Sequence, residues 1–182
     1  IVSIILGEGQ SSRLYQNLVE KNKEQTFISV ETSTYSFRDG GNFFVQALFY
    51  PQNKEKVISQ LENELNNFIS NGITEDEFKK AVKKLKVRFA QETETVSEIG
   101  ENIGYYATVC DNLKLVEDYL YDLEHITIQD LEDVIKKYLD INPKMNHSET
   151  PSFTTPNEAQ YSILRKFLVG NESRVIRSKI GK

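Results

Sequence analysis

The chain holds 182 residues with a formal net charge of -5 and a single cysteine. That balance lacks the Lys- and Arg-rich face that nucleic-acid phosphates select, and it equally argues against an anionic membrane surface. Cys110 alone permits no internal disulfide and no cysteine-based zinc cage, and reads as a small buried apolar residue. The length suits one domain with a sizeable core plus a tail.

The opening run Ile1-Val2-Ser3-Ile4-Ile5-Leu6 has no initiator Met. It is too short to span a bilayer and lacks the flanks of a signal peptide. The chain is therefore expected to begin inside a folded element, as a processed product or an excerpt. Branched residues make this run read as a strand. The glycine-rich loop 7–12 leads into a helix from Arg13 to Lys21, with Leu14, Leu18 and Tyr15 on one face and Ser11 or Ser12 able to cap it. Residues 26–37 are rich in strand formers, and Arg38-Asp39-Gly40-Gly41 suits a tight hairpin. The return run from Phe43 to Tyr50 is apolar on both faces, which predicts a central strand covered on each side or by a partner domain. Pro51 ends it.

From there the spacing turns helical. Val57, Ile58, Leu61, Leu65, Phe68 and Ile69 mark one helix, and Asn71-Gly72 stops it. Thr74 and Glu77 form a capping box for a helix that is expected to bury Phe78, Val82, Leu85 and Phe89. Thr95 and Glu98 repeat the device before Ile99, Ile103, Ala107 and Cys110. Shorter amphipathic helices follow over about 114–123 and about 128–139, the second capped by Thr127. Residues 143–160 hold Pro143, Pro151 and Pro156 among Ser, Thr and Asn, and read as a linker. Residues 161–182 recover apolar spacing and then turn basic through Arg174, Arg177, Lys179 and Lys182. That tail is expected to dock on the main domain or to open another one.

Several chemical motifs are suggested and then fail on detail. The loop 7–12 precedes a helix, but no lysine stands before Ser11 or Ser12 as a Walker loop requires, and Gly7 and Gly9 do not complete a dinucleotide fingerprint. Tyr121-Asp122-Leu123-Glu124-His125 approaches the inverted zinc-peptidase pattern His-x-x-Glu-His, with Tyr121 where the first imidazole belongs. The other histidine, His147, lies in the proline-rich stretch, so three zinc ligands are not in sight. Lys79, Lys80, Lys83, Lys84, Lys86 and Arg88 read as the solvated side of an amphipathic helix. The carboxylates are scattered, and two histidines so placed support no Ser–His–Asp or Cys–His arrangement. Asn146-His147-Ser148 and Asn171-Glu172-Ser173 match the glycosylation sequon, a triplet common by chance.

The order of elements is more specific than any of these motifs. Leu6-Gly7-Glu8-Gly9-Gln10-Ser11-Ser12-Arg13-Leu14, followed by a helix, a hairpin and a run of helices, resembles the insulinase/pitrilysin-type zinc peptidases in their second domain. Asn71-Gly72-Ile73-Thr74 with Glu77-Phe78, Ile126-Thr127-Ile128-Gln129-Asp130-Leu131 and Lys137-Tyr138-Leu139 extend the likeness over about 1–140. The resemblance implies an α+β fold, a two-layer sandwich of a mainly antiparallel sheet against several helices. Residues 1–142 would form that domain, with its first strands before residue 1. It also implies that Ile1 to Leu6 is the end of a helix rather than a strand, and that 167–176 weakly resembles the opening strands of a next repeat.

The resemblance makes Gly7, Gly9, Ser11, Ser12, Arg13 and Leu14 structural motif residues and assigns no catalytic or metal-binding residue to this chain. Zinc is expected in a preceding homologous domain, in cis or on a partner subunit, that carries the His-x-x-Glu-His helix. In such families a later domain supplies an Arg and a Tyr that steady the substrate carbonyl. Here Leu18-Val19-Glu20-Lys21 puts Val19 at the Arg position, and Thr26 or Phe27 stands near the Tyr. The implied role is a non-catalytic domain that shapes a chamber for peptide substrate. A catalytically dead scaffold subunit is the alternative, and an unrelated α+β interaction module is a third.

Overall fold

The computed structural model describes residues 1–37, 40–108, 113–139, 147–152 and 160–169. The branched opening run is a helix, α1 (Val2–Gly7), as the family resemblance implied and its β propensity did not. Tertiary cover decides: Ile4, Ile5 and Leu6 are all buried, so packing outweighs a propensity difference of a few tenths of a kcal/mol per residue. After the glycine loop a π-helical segment (Tyr15–Glu20) buries Leu18, and the N–H of Lys21 reaches back to the carbonyl of Gln16 at 3.0 Å.

Strands β1 (Phe27–Phe37) and β2 (Gly40–Phe49) form the antiparallel hairpin, with Val30 opposite Ala47, Thr32 opposite Val45 and Thr34 opposite Phe43. Side chains alternate across a strand, so Val30, Thr32, Phe43, Val45, Ala47 and Phe49 point together into the core. The opposite face holds Phe44 and Leu48 half-buried around an exposed Gln46. Tyr35 meets Phe44 edge-on there, with centroids 5.6 Å apart. The central position expected of β2 is present, but among the described residues only one of its faces is buried.

Helix α2 (Lys54–Asn71) lays Val57, Leu61, Leu65 and Phe68 on the core, and Gly72 ends it at φ 67°. Helix α3 (Glu75–Gln91) starts with the full Thr74/Glu77 capping box. Its apolar face is shallower than its spacing predicts: Ala81 is buried, whereas Phe78, Val82, Leu85 and Phe89 remain half-exposed. Helix α4 (Val96–Thr108) keeps the Thr95/Glu98 box but buries none of its residues, so the expected cover for Ile99 and Ile103 is absent among the described residues. Helices α5 (Lys114–His125) and α6 (Ile128–Tyr138) follow, α6 capped reciprocally by Thr127 and Asp130 and anchored by Leu131 and Ile135. Cys110 and the sequon residues Asn146 and Asn171 lie outside the described residues.

Two further strands, β3 (His147–Ser152) and β4 (Gln160–Val169), complete a four-stranded sheet in the order β1-β2-β4-β3. The stretch 143–160 read as a linker therefore contains a strand. Its Pro151 is tolerable because β3 pairs only with β4 and forms the sheet's edge, where a missing N–H need not break a ladder. β4 runs along β2 from Gly41 opposite Val169 to Phe49 opposite Tyr161. One core unites α1, the π-helical segment, the hairpin, α2 and α6, which is the two-layer α+β arrangement. No helix among the described residues is long and apolar enough to cross a membrane.

Candidate functional site

The loop joining α1 to the π-helical segment gathers the six motif residues, and each has a definable physical task. Gly7 faces β1 so closely that an added β carbon would lie 2.5 Å from Thr32 Cγ2 and 2.8 Å from its backbone nitrogen. Thr32 in turn donates its hydroxyl to the carbonyl of Ser3 at 2.7 Å, fastening α1 to the strand. Gly9 turns the chain at φ 86°, a region that favours glycine. Ser12 is buried and donates to the Gly9 carbonyl at 2.6 Å, so its hydroxyl closes the loop instead of capping the helix. Leu14 is fully buried, and Ser11 remains at the surface.

Arg13 ties this loop to the α2–α3 junction. It donates from Nε to Glu77 Oε1 at 2.8 Å and from Nη2 to Oε2 at 2.5 Å, with Nη1 on the Gly72 carbonyl at 3.0 Å. Its guanidinium lies over the Phe68 ring at 4.8 Å. Glu77 simultaneously accepts from the N–H and hydroxyl of Thr74. Burial pushes the Glu77 carboxyl up, but the hydrogen bonds from Arg13 and Thr74 outweigh it and hold the group below the usual carboxylate range. Glu8 shows the same contest: burial raises it, and hydrogen bonds from Lys84 and Arg88 win, leaving it lowered. No spacing rule announces either pair, since Arg13 and Glu77 stand 64 residues apart.

The positions where the resemblance would put a substrate clamp face inward. Val19 is half-buried against the core, and Phe27 is buried within it. Thr26 is 1% exposed. Its hydroxyl donates to Gln60 Oε1 at 2.6 Å and accepts from Asn22 Nδ2 at 2.6 Å. A side chain so enclosed serves the fold and has no route to a peptide. Thr26→Val is expected to cost about 1–2 kcal/mol, because Gln60 loses its donor and Asn22 an acceptor. Urea denaturation checks this, and a midpoint equal to the parent's would contradict the network.

Tyr121, Glu124 and His125 do not converge on a metal. The two rings stack on each other with centroids 3.8 Å apart, and His125 Nδ1 donates to the Tyr121 carbonyl at 2.7 Å. Glu124 pairs with Lys86 at 2.8 Å. Among the described residues no group of three or more His, Cys, Asp or Glu is placed to hold an ion. These residues therefore do not fit a catalytic zinc, which needs three protein ligands and an open position. His147 lies in β3. The basic side of α3 is largely neutralised: Lys79 and Lys80 pair with Glu75 and Asp76 one turn earlier, while Lys84 and Arg88 hold Glu8.

A polar groove of about 520 Å³ runs beside the Arg13 node, with Gln16, Asn17, Lys21, Glu64 and Asn71 in its walls. Asn17 donates to Glu64 at 2.6 Å, so the groove's central groups satisfy one another. It holds neither a histidine nor a cysteine, and offers no activated nucleophile.

Residues 1–85 match the family model of the peptidase M16 inactive domain. An uncharacterised zinc protease of Streptomyces coelicolor is 28% identical over 146 residues, which make up 80% of this chain and 31% of the relative. A crystal structure of a protease from Helicobacter pylori is similar with a TM-score of 0.62 at 24% identity, covering 76% of this chain and 33% of that one. The chain thus spans about a third of the length of these relatives.

Proposed function

We propose, for a chain that belongs to the M16 peptidases as their inactive domain, that it walls the substrate chamber of a zinc-dependent endopeptidase without touching the reacting bond. The observation that carries this reading is the inward packing of Val19, Thr26 and Phe27. Where a clamp on the substrate carbonyl would be expected, this chain places core residues. The Arg13–Glu77 node supports the same view, because the motif charges are spent on holding elements together.

The metal belongs, on this reading, to a homologous domain elsewhere in the parent protein, where a zinc-bound water would attack peptide. The name of the Streptomyces relative supports a peptidase parent over a dead scaffold. A His-x-x-Glu-His segment in the parent's preceding domain is the discriminating feature, and its absence would favour the scaffold.

Metal analysis of the 182-residue chain is expected to find no stoichiometric zinc, and an unfolded peptide incubated with it should stay intact. One tight zinc per chain, lost on His125→Ala, would overturn the assignment, as would a chelator-sensitive cleavage in a clean preparation.

A further inference from the structure

Helix α4 is the least covered helix of the domain. Val96, Ile99 and Ile103 are 88%, 39% and 45% exposed, and their spacing stacks them in one stripe with Ala107. Gly100 and Gly104 complete that stripe, and a β carbon added at either would meet no atom within 4 Å. The half-buried residues Asn102 and Tyr106 lie to one side of it, where α4 leans on α5. Glu98 and Glu101 occupy the far side.

Two observations therefore coincide on one surface. An apolar stripe faces outward along the whole helix. Glycine weakens a helix interior relative to alanine, and here no described neighbour needs the room. Paired glycines a turn apart leave a flat floor on which another helix can approach closely, and the flanking aliphatic side chains would close around it. The chain accounts for 31% and 33% of its relatives' lengths, so most of the polypeptide that might supply such a helix lies outside it.

We infer that the α4 stripe seats a helix from the part of the parent polypeptide outside this chain, making α4 an interdomain contact. The inference rests on the reading of the chain as one domain of a longer peptidase. The test uses the full-length parent, with hydrogen exchange read over residues 96–107 and over α2 as an internal control. The double variant Gly100→Leu/Gly104→Leu is expected to speed exchange across 96–107 at least tenfold while α2 keeps its protection. Gly100→Ala/Gly104→Ala should speed it less, although alanine is the better helix former.

If both variants leave exchange unchanged or slow it, the stripe is bare and the inference is wrong. If sedimentation shows a dimer of the parent that the leucine variant dissociates, the occupant is a second copy and the inference is again wrong. Zinc content and peptide cleavage of the unsubstituted parent test the peptidase reading separately. A parent that binds no zinc but retains the tenfold response at α4 would sink that reading and leave the docking intact.

Discussion

Arg13→Ala is expected to lower the stability of the domain by about 2–4 kcal/mol, read as a fall in the urea midpoint. A solvent-exposed ion pair contributes at most about 1 kcal/mol, but the Arg13 side chain is only 14% exposed. Its removal strips a bidentate partner from Glu77, a donor from the Gly72 carbonyl and a cation from the Phe68 face. The capping box itself should survive, because Thr74 still reaches Glu77 at 2.9 Å. Arg13→Lys should recover only part of the loss, since one ammonium cannot reproduce the planar fork. An alanine variant with an unchanged midpoint would show the node to be idle.

The same node has a pH signature. The carboxyls of Glu77 and Glu8 are both held below their ordinary value in the fold. An unfolded chain, with glutamates near about 4.3, therefore binds more protons than the folded one in the window below that value. The contribution is fully present above about pH 5 and is lost as the pH falls through the lowered folded values. Arg13→Ala should flatten the share of that slope owed to Glu77, in midpoints taken between about pH 3 and 6.

Features that depend on a few neighbouring residues were legible before any fold was known. The Thr74/Glu77 and Thr127/Asp130 boxes, the stop at Gly72 and the apolar rows of α2 and α6 all follow from local spacing. Depth was not legible. The row Ile99, Ile103 and Ala107 has the period of a buried face, yet periodicity says which side is apolar and nothing about whether anything covers it. Long-range partners were equally hidden: Arg13 finds Glu77, and Thr26 finds Gln60, only through the packing of α2 and α3. At Ile1 to Leu6 the β-branched residues misdirect, because a helix of 6 residues buried on the sheet is decided by its contacts. At 143–160 the prolines suggest a linker, while an edge strand accommodates Pro151.

Gly7→Val is expected to be as damaging as the loss of Arg13, for a reason no charge argument contains. Two effects oppose each other. Replacing glycine near a helix end relieves backbone entropy, worth up to about 1 kcal/mol in a helix interior and less at a last turn. Against it stands the overlap with β1, where the new β carbon would sit 2.8 Å from the backbone nitrogen of Thr32. A flexible side chain can swing aside, but a strand nitrogen moves only with its hairpin, and overpacking of this kind costs about 1–3 kcal/mol or more. The clash should win, lifting α1 off β1 and weakening the Ser3–Thr32 hydrogen bond of 2.7 Å. Gly7→Ala isolates the first methyl and should fall between the parent and Gly7→Val in urea midpoint. Amide exchange at Val30 and Thr32 should rise with the loss of midpoint. A Gly7→Ala variant more stable than the parent would mean that the close approach of α1 to β1 is not tight enough to require glycine.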